Sequence, residues 1–241
     1  MILLAAGLLA FAVTDLVRWQ PTKVSPWRGL GAIVVGTGSV TALAALSDSP
    51  FCSPLLASGV TAVGLMVWVG LDYVEIKPGW GIAYVLVVLL ALFACSGSAD
   101  EIGGPLEEWY RDLDFGFARV VSVERFTLAV TATLFLLATT NRIVRLVLDA
   151  ALPDWKQGET ALKGGRVLGP LERVIIGAIV LAGDPAAAAI VIAAKGLLRF
   201  PEIKEREDMP GPDAITEYFL IGTLTSLLIA ATLAILVAGA G

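Results

Sequence analysis

The chain has 241 residues, 57% hydrophobic and only 16% charged, with a formal net charge of −5 and a mean hydropathy of +0.82. Soluble domains carry about a quarter charged residues, so this is membrane composition, and nothing in it offers the basic patch that nucleic acid requires. The sequence contains no histidine, which removes the commonest general base and the commonest metal ligand from any mechanism.

The first apolar run, residues 2–17, follows Met1 as ILLAAGLLAFAV and offers Ala10-Phe11-Ala12 as a signal-peptide-like site. It lacks a basic leading segment and therefore reads as an uncleaved first span. Further runs cover 29–47, 55–72, 80–96, 126–148 and 214–238. Most approach the ~20 residues that ~30 Å of hydrocarbon demands, and the short first run is still compatible with crossing.

Orientation follows from lysine and arginine in the connections. Arg18, Lys23 and Arg28 follow the first span, so that side is cytoplasmic and Met1 lies outside. Connection 47–54 has no basic residue, 72–79 carries Lys77, and the acidic stretch 97–125 is external. Residues 141–173 are cytoplasmic and rich in Arg and Lys. Trp19, Trp27, Tyr73, Trp80 and Trp155 then fall at the inner interface, with Trp109 and Tyr110 at the outer one.

In 105–121 the apolar Leu106, Trp109, Tyr110, Leu113, Phe117, Val120 and Val121 share one helical face. That pattern predicts an amphipathic helix on the outer surface, acting as an interfacial strut or as a lid. Cys52 and Cys95 map to the outer ends of neighbouring spans, where an oxidising compartment would allow a disulfide. Free buried thiols are the expected state.

The run 171–198 is interrupted by Gly183-Asp184-Pro185. If it crosses the membrane, basic residues divide 10 inside against 7 outside; if it turns back, they divide 14 against 3. The half-helices 171–182 and 185–198 would be ~18 and ~21 Å long, each too short to cross alone. Asp184 as N-cap, Pro185 at the first helical position and Gly183 in a left-handed conformation make a helix stop followed by a start. Charge count and length both favour a re-entrant hairpin over a proline-kinked crossing helix.

Ionisable groups gather at the base of this hairpin: Arg166 upstream, Glu172 and Arg173 at its start, Lys195 and Arg199 at its exit, and Glu217 just inside the last span. They read either as interfacial residues that snorkel and pair, or as a grip for an anionic group such as a phosphate. At the tip, the N-terminus of the second half-helix favours an anion, while Asp184 opposes that use or attracts a cation or proton. Thr223, with Thr225, Ser226 and Thr232, offers hydroxyls along the last span that ordinarily bond within or between helices. Glycines in 29–40 and 59–70 mark close helix packing. Asp15 is near enough to Arg18 to form an interfacial pair. No enzyme signature is present and no cofactor is expected; a carboxylate-based activity through Glu172, Glu217 or Asp184 is the form an enzyme would take.

The strings Gly165-Arg166-x-x-Gly169-x-x-Glu172-Arg173, Ala193-Ala194-Lys195-x-x-x-Arg199-Phe200 and Glu217-Tyr218-Phe219-x-x-Gly222-Thr223-x-x-Ser226 are found together with Gly183. Over about 165–232 the pattern resembles the bacterial membrane family called domain of unknown function 3307, apart from Gly196, where a serine is expected. The resemblance implies no substrate, but it coincides with the residues that charge and topology single out.

The expected protein is thus an all-α polytopic membrane helix bundle of the bacterial inner membrane, with six spanning helices plus the hairpin and both termini outside. It divides into a four-span N-terminal segment (residues 1–96), an external connection (97–125) and a C-terminal segment (126–241). The expected function is binding or transport of a small ion or anionic solute through the hairpin. The alternatives are a lipid-phosphate-binding protein or membrane enzyme, and a structural or accessory membrane subunit. Membrane lipids are the expected partners, and a homo-oligomer is left open.

Overall fold

The structure is a computed structural model that describes residues 1–18, 25–48, 54–74, 77–96, 102–113, 116, 120–152, 165–204 and 212–240, without the side chains of 54, 165–167, 185, 198–204 and 212–215. Among these residues there are ten α-helices and no strand, so the expected all-α class holds. The helices are α1 (Ile2–Val17), α2 (Pro26–Leu46), α3 (Pro54–Gly70), α4 (Pro78–Ser96), α5 (Pro105–Arg111), α6 (Val123–Leu137), α7 (Thr139–Ala151), α8 (Gly165–Leu181), α9 (Pro185–Lys204) and α10 (Pro212–Ala238). Six of them open on proline, whose missing N–H is one that a helix start leaves free anyway. Helix α6 instead opens on Ser122, whose hydroxyl accepts from the Arg125 N–H at 3.3 Å.

Among the described residues three helices are long and apolar enough to cross a membrane: α2, α4 and the Thr216–Ala238 part of α10. The pair α6–α7, bent by 46°, makes a fourth if it counts as one broken span. This is fewer than the six expected. The physical reason is length: α1 has 16 residues and the apolar part of α3 runs only Leu55–Gly70, about 24 Å of rise each against ~30 Å of hydrocarbon. Several apolar helices of this kind are compatible with a membrane protein.

Helix α1 is the centre of the bundle and packs against α2, α4 and α6. Its Leu4, Ala5, Leu8, Phe11 and Ala12 are buried in one core with Leu65 and Trp68 of α3, Leu128 and Phe135 of α6, and Ala230 and Leu233 of α10. The α1–α2 crossing requires glycine at position 36. A Cβ there would lie 2.2 Å from Thr14 Oγ1, 2.9 Å from Leu65 Cδ1 and 3.2 Å from the Ala10 carbonyl. The close packing expected of the glycines in 29–40 and 59–70 holds at Gly29, Gly36 and Gly64, whereas Gly31, Gly38, Gly59 and Gly70 face open space.

One end of the bundle gathers the start of α1 and the ends of α2 and α4. The Leu4 N–H donates to Ser96 Oγ at 3.1 Å, and the Gly103 N–H to the Ser47 carbonyl at 3.1 Å. The amphipathic helix expected over 105–121 is shorter, ending at Arg111, and 114–115 and 117–119 lie outside the described residues. Trp109 is exposed, while Tyr110 is buried with Ile2, Ile102 and Val123, its hydroxyl donating to the Val121 carbonyl at 2.9 Å. Burial pushes its phenol pKa up. At the opposite end Trp27, Tyr73 and Trp80 are exposed, while Trp19 and Trp155 lie outside the described residues. Cys95 is exposed and free rather than buried, and Cys52 lies outside the described residues.

The run 126–148, expected as one span, is broken at Ala138. Polar side chains explain the break, because they take the last carbonyls of α6. Thr140 Oγ1 donates to the Phe135 carbonyl at 3.1 Å and Asn141 Nδ2 to the Leu137 carbonyl at 3.2 Å.

The chain does turn at Gly183, which has φ +81. The Gly183 N–H bonds the Val180 carbonyl at 3.0 Å and the Asp184 N–H bonds the Ile179 carbonyl at 3.3 Å, the paired bonds of a Schellman stop. Asp184 Oδ1 then accepts from the Ala187 N–H at 2.9 Å and starts α9. Glu172, twelve residues before Asp184, forms an ion pair with Lys195, eleven residues after it, so α8 and α9 run back alongside each other. Both helices are longer than expected. Helix α8 begins at Gly165 and carries Pro170 in its second turn, where one backbone bond is lost. Helix α9 continues to Lys204, although its apolar part is only Ala186–Leu197.

Candidate functional site

Arg173 is the most constrained of the expected site residues. It lies on α8 one turn before Gly177, and its side chain is buried with 6% exposure. Its Nε donates to Ser226 Oγ of α10 at 2.5 Å, and its Nη1 donates to Asn141 Oδ1 of α7 at 2.6 Å and to the Leu136 carbonyl of α6 at 3.3 Å. Every one of these acceptors is electrically neutral. A guanidinium carries five donors in a planar fork, and here two nitrogens are spent on tying four helices together. Its Nη2 lies toward Gly169, where an added Cβ would stand 3.6 Å away, an ordinary van der Waals contact.

Glu172 and Lys195 pair with each other across the hairpin, and Lys195 Nζ also sits 5.9 Å from the centre of the Phe219 ring on α10. Glu172 is thus shared, since it pairs with Lys195 and also offsets the charge of the adjacent Arg173. Arg166 lies in the first turn of α8 and Arg199 near the end of α9, but their side chains are outside those described. Glu217 is exposed on α10, and Thr223 is half-buried one turn before Ser226. The tip residue Asp184 is exposed, with its carboxylate engaged in capping, and it lines no described cavity.

The cavity between α6, α8 and α10 holds about 80 Å³ and is lined by apolar residues, most of them small. Ala132, Leu136, Gly177, Ala230 and Ala234 form its floor, and Ala129, Thr133, Val174 and Ala178 its rim. Its lining residues Gly177 and Ala230 lie one helical turn from Arg173 and Ser226, which do not themselves line it. The Thr133 hydroxyl donates to the Ala129 carbonyl at 2.8 Å, which uses its donor and leaves only its acceptor lone pairs.

A second polar group, more than the expected Asp15–Arg18 pair, sits at the end of the bundle where α1 and α3 finish. Asp15 is 3.8 Å from Arg18 Nη1 and 3.4 Å from Arg142 Nη1, and both its oxygens accept from Trp68 Nε1 at 3.2 Å. Asp72 bridges Arg18 and Arg142, and Arg142 Nη2 also donates to the Trp68 carbonyl at 2.7 Å. Two acids and two arginines balance in charge. Asp15 and Arg18 are the buried members, while the Asp72 side chain is 36% exposed, so removing Asp15 leaves the arginines short of one acid.

Sequence reading missed Asn141, Trp68, Asp72 and the inward role of Arg142. Arg142 counts by type as a cytoplasmic arginine, and only folding shows that it points back onto α3. The signal available was a polar residue inside an apolar segment: Asn141, Ser226 and Asp15 all have that property. Among the described residues no group of three or more Cys, Asp or Glu side chains is arranged to hold a metal ion. Comparison with protein-family models, with curated proteins and with solved structures found no match to this chain.

Proposed function

We propose that the chain is a multi-pass membrane protein that binds a small anionic group at the base of the α8–α9 hairpin. In this reading α1 and α3 also cross, giving six crossings of the bacterial inner membrane, and the hairpin re-enters from the basic, cytoplasmic side. The observation that carries the anion reading is Arg173, a buried guanidinium whose described hydrogen bonds all go to neutral oxygens. The acid that offsets this buried charge, Glu172, is shared with Lys195, and an anion beside Gly169 would complete the compensation. The expected site, which spanned the tip and the basic base of the hairpin, narrows in this reading to the base, because the Asp184 carboxylate is engaged in its cap. The resemblance of 165–232 to domain of unknown function 3307 agrees with a membrane setting and names no ligand.

The shared chemistry is an anionic oxygen, from a free phosphate or from a lipid head group. The test measures thermal unfolding of the detergent-solubilised full chain against inorganic phosphate and, separately, against phosphatidylglycerol in phosphatidylcholine. A rise in Tm with phosphate identifies a free anion, and a rise only with phosphatidylglycerol identifies the head group. Either rise must disappear in Arg173→Gln. No rise with either anion overturns the reading. Labelling of Glu205→Cys from the external side would overturn the re-entrant topology.

A further inference from the structure

The break between α6 and α7 exposes three consecutive carbonyls at the C-terminal end of a helix, the end that carries partial negative charge. Side chains take all three. Thr140 and Asn141, from the chain just beyond the break, hold Phe135 and Leu137. The middle carbonyl, Leu136, is left for a residue far away in sequence, Arg173. Around the Arg173 guanidinium stand a backbone carbonyl, an amide oxygen and a hydroxyl from three different helices. The Asn141 amide is oriented for this task, because its nitrogen donates to Leu137 and so turns its oxygen toward Arg173.

Neutral oxygens converging at a helix break inside a membrane are the ligand set of a monovalent metal cation. Here a guanidinium occupies it. We propose that the α6–α7 break is a monovalent-cation site whose resident occupant is the tethered guanidinium of Arg173, and that a sodium or potassium ion takes its place when that group is removed. The exchange balances in charge, since one unit positive charge replaces another. The ion would meet Leu136 O, Asn141 Oδ1 and Ser226 Oγ, with water completing its shell in the volume the side chain vacates. This site uses the acceptors around Arg173, whereas anion binding uses its outward charge, so either idea can fail alone.

The experiment compares Tm of the full chain in sodium, potassium and choline chloride at equal ionic strength. Wild type, with the site filled, responds equally to all three. Arg173→Ala unfolds earlier in choline and recovers by about 5 °C or more in saturating sodium or potassium, the scale expected when an ion binds only the folded state. The double variant Arg173→Ala with Asn141→Leu loses the recovery. If Arg173→Ala is not obtained folded, Arg173→Val, uncharged and without a side-chain donor, serves in its place. Equal Tm of the variant in all three salts overturns the proposal, and so does a sodium or potassium response in wild type.

Discussion

The Arg142 guanidinium lies 3.6 Å from the centre of the Trp68 ring, while the same indole donates its N–H to Asp15 at 3.2 Å. One aromatic side chain thus meets the cation with its face and the anion with its edge, as the charge distribution of the ring favours. Phe11 meets Trp68 edge-on at 5.4 Å, and Tyr84 stacks on it at 6.3 Å. Helices α1, α3, α4 and α7 are joined through this indole.

Asp15→Ala should therefore be severe. It leaves Arg142 with Asp72 alone and strips Trp68 Nε1 of its acceptor, a loss of about 3–5 kcal/mol for a broken buried pair. Asp15→Asn keeps an acceptor for the indole and should cost less. The check is thermal unfolding in detergent, with Trp fluorescence as the second readout; equal Tm for wild type and Asp15→Ala would show that the network contributes nothing.

Arg142→Lys separates charge from shape. An ammonium retains the unit charge but cannot stack on the indole while reaching Asp15, Asp72 and the Trp68 carbonyl together. The expected cost is about 1–3 kcal/mol. A lysine variant as stable as wild type would reduce the contact to simple charge pairing.

Ser226→Ala removes the acceptor from Arg173 Nε and leaves a buried donor unmatched, at about 1–3 kcal/mol. Ser226→Thr retains the hydroxyl and should lie closer to wild type. Neighbouring Thr232, which is exposed and bonds the Leu228 carbonyl of its own helix, should tolerate alanine within about 0.5 kcal/mol.

Gly36→Ala forces α1 and α2 apart, because the new methyl overlaps Thr14 Oγ1. Overpacking of this kind costs about 1–3 kcal/mol. Thr14→Ala removes the overlapping group, so the double variant should be more stable than the sum of the two single costs implies. Strict additivity would count against a direct clash.

Gly183→Val places a branched side chain at φ +81, with open space around it but a backbone region that it resists. The cost is about 1–3 kcal/mol, from conformation alone. Asp184→Ala should lose a further cap contribution of about 0.5–2 kcal/mol. Protease sensitivity at the turn provides the measurement, and Gly183→Asn should retain much of the wild-type resistance.

The hairpin turn was readable from residues 183–185 because its determinants are local. Glycine permits the left-handed turn, aspartate caps the next helix and proline begins it, and none of the three needs a distant partner. Helicity and apolar composition are likewise summed along the chain, and they agree with the fold. The number of spans was less legible, since an apolar run does not state where its helix ends; α1 and α3 stop short, and α6–α7 breaks where Thr140 and Asn141 compete for carbonyls. The pairings decided by tertiary structure alone join Asp15 to Arg142 across 127 positions and Arg173 to Ser226 across 53. Residue type announces that such charges need partners, because burying them alone is costly. Which partners they find depends on which helix ends meet in space.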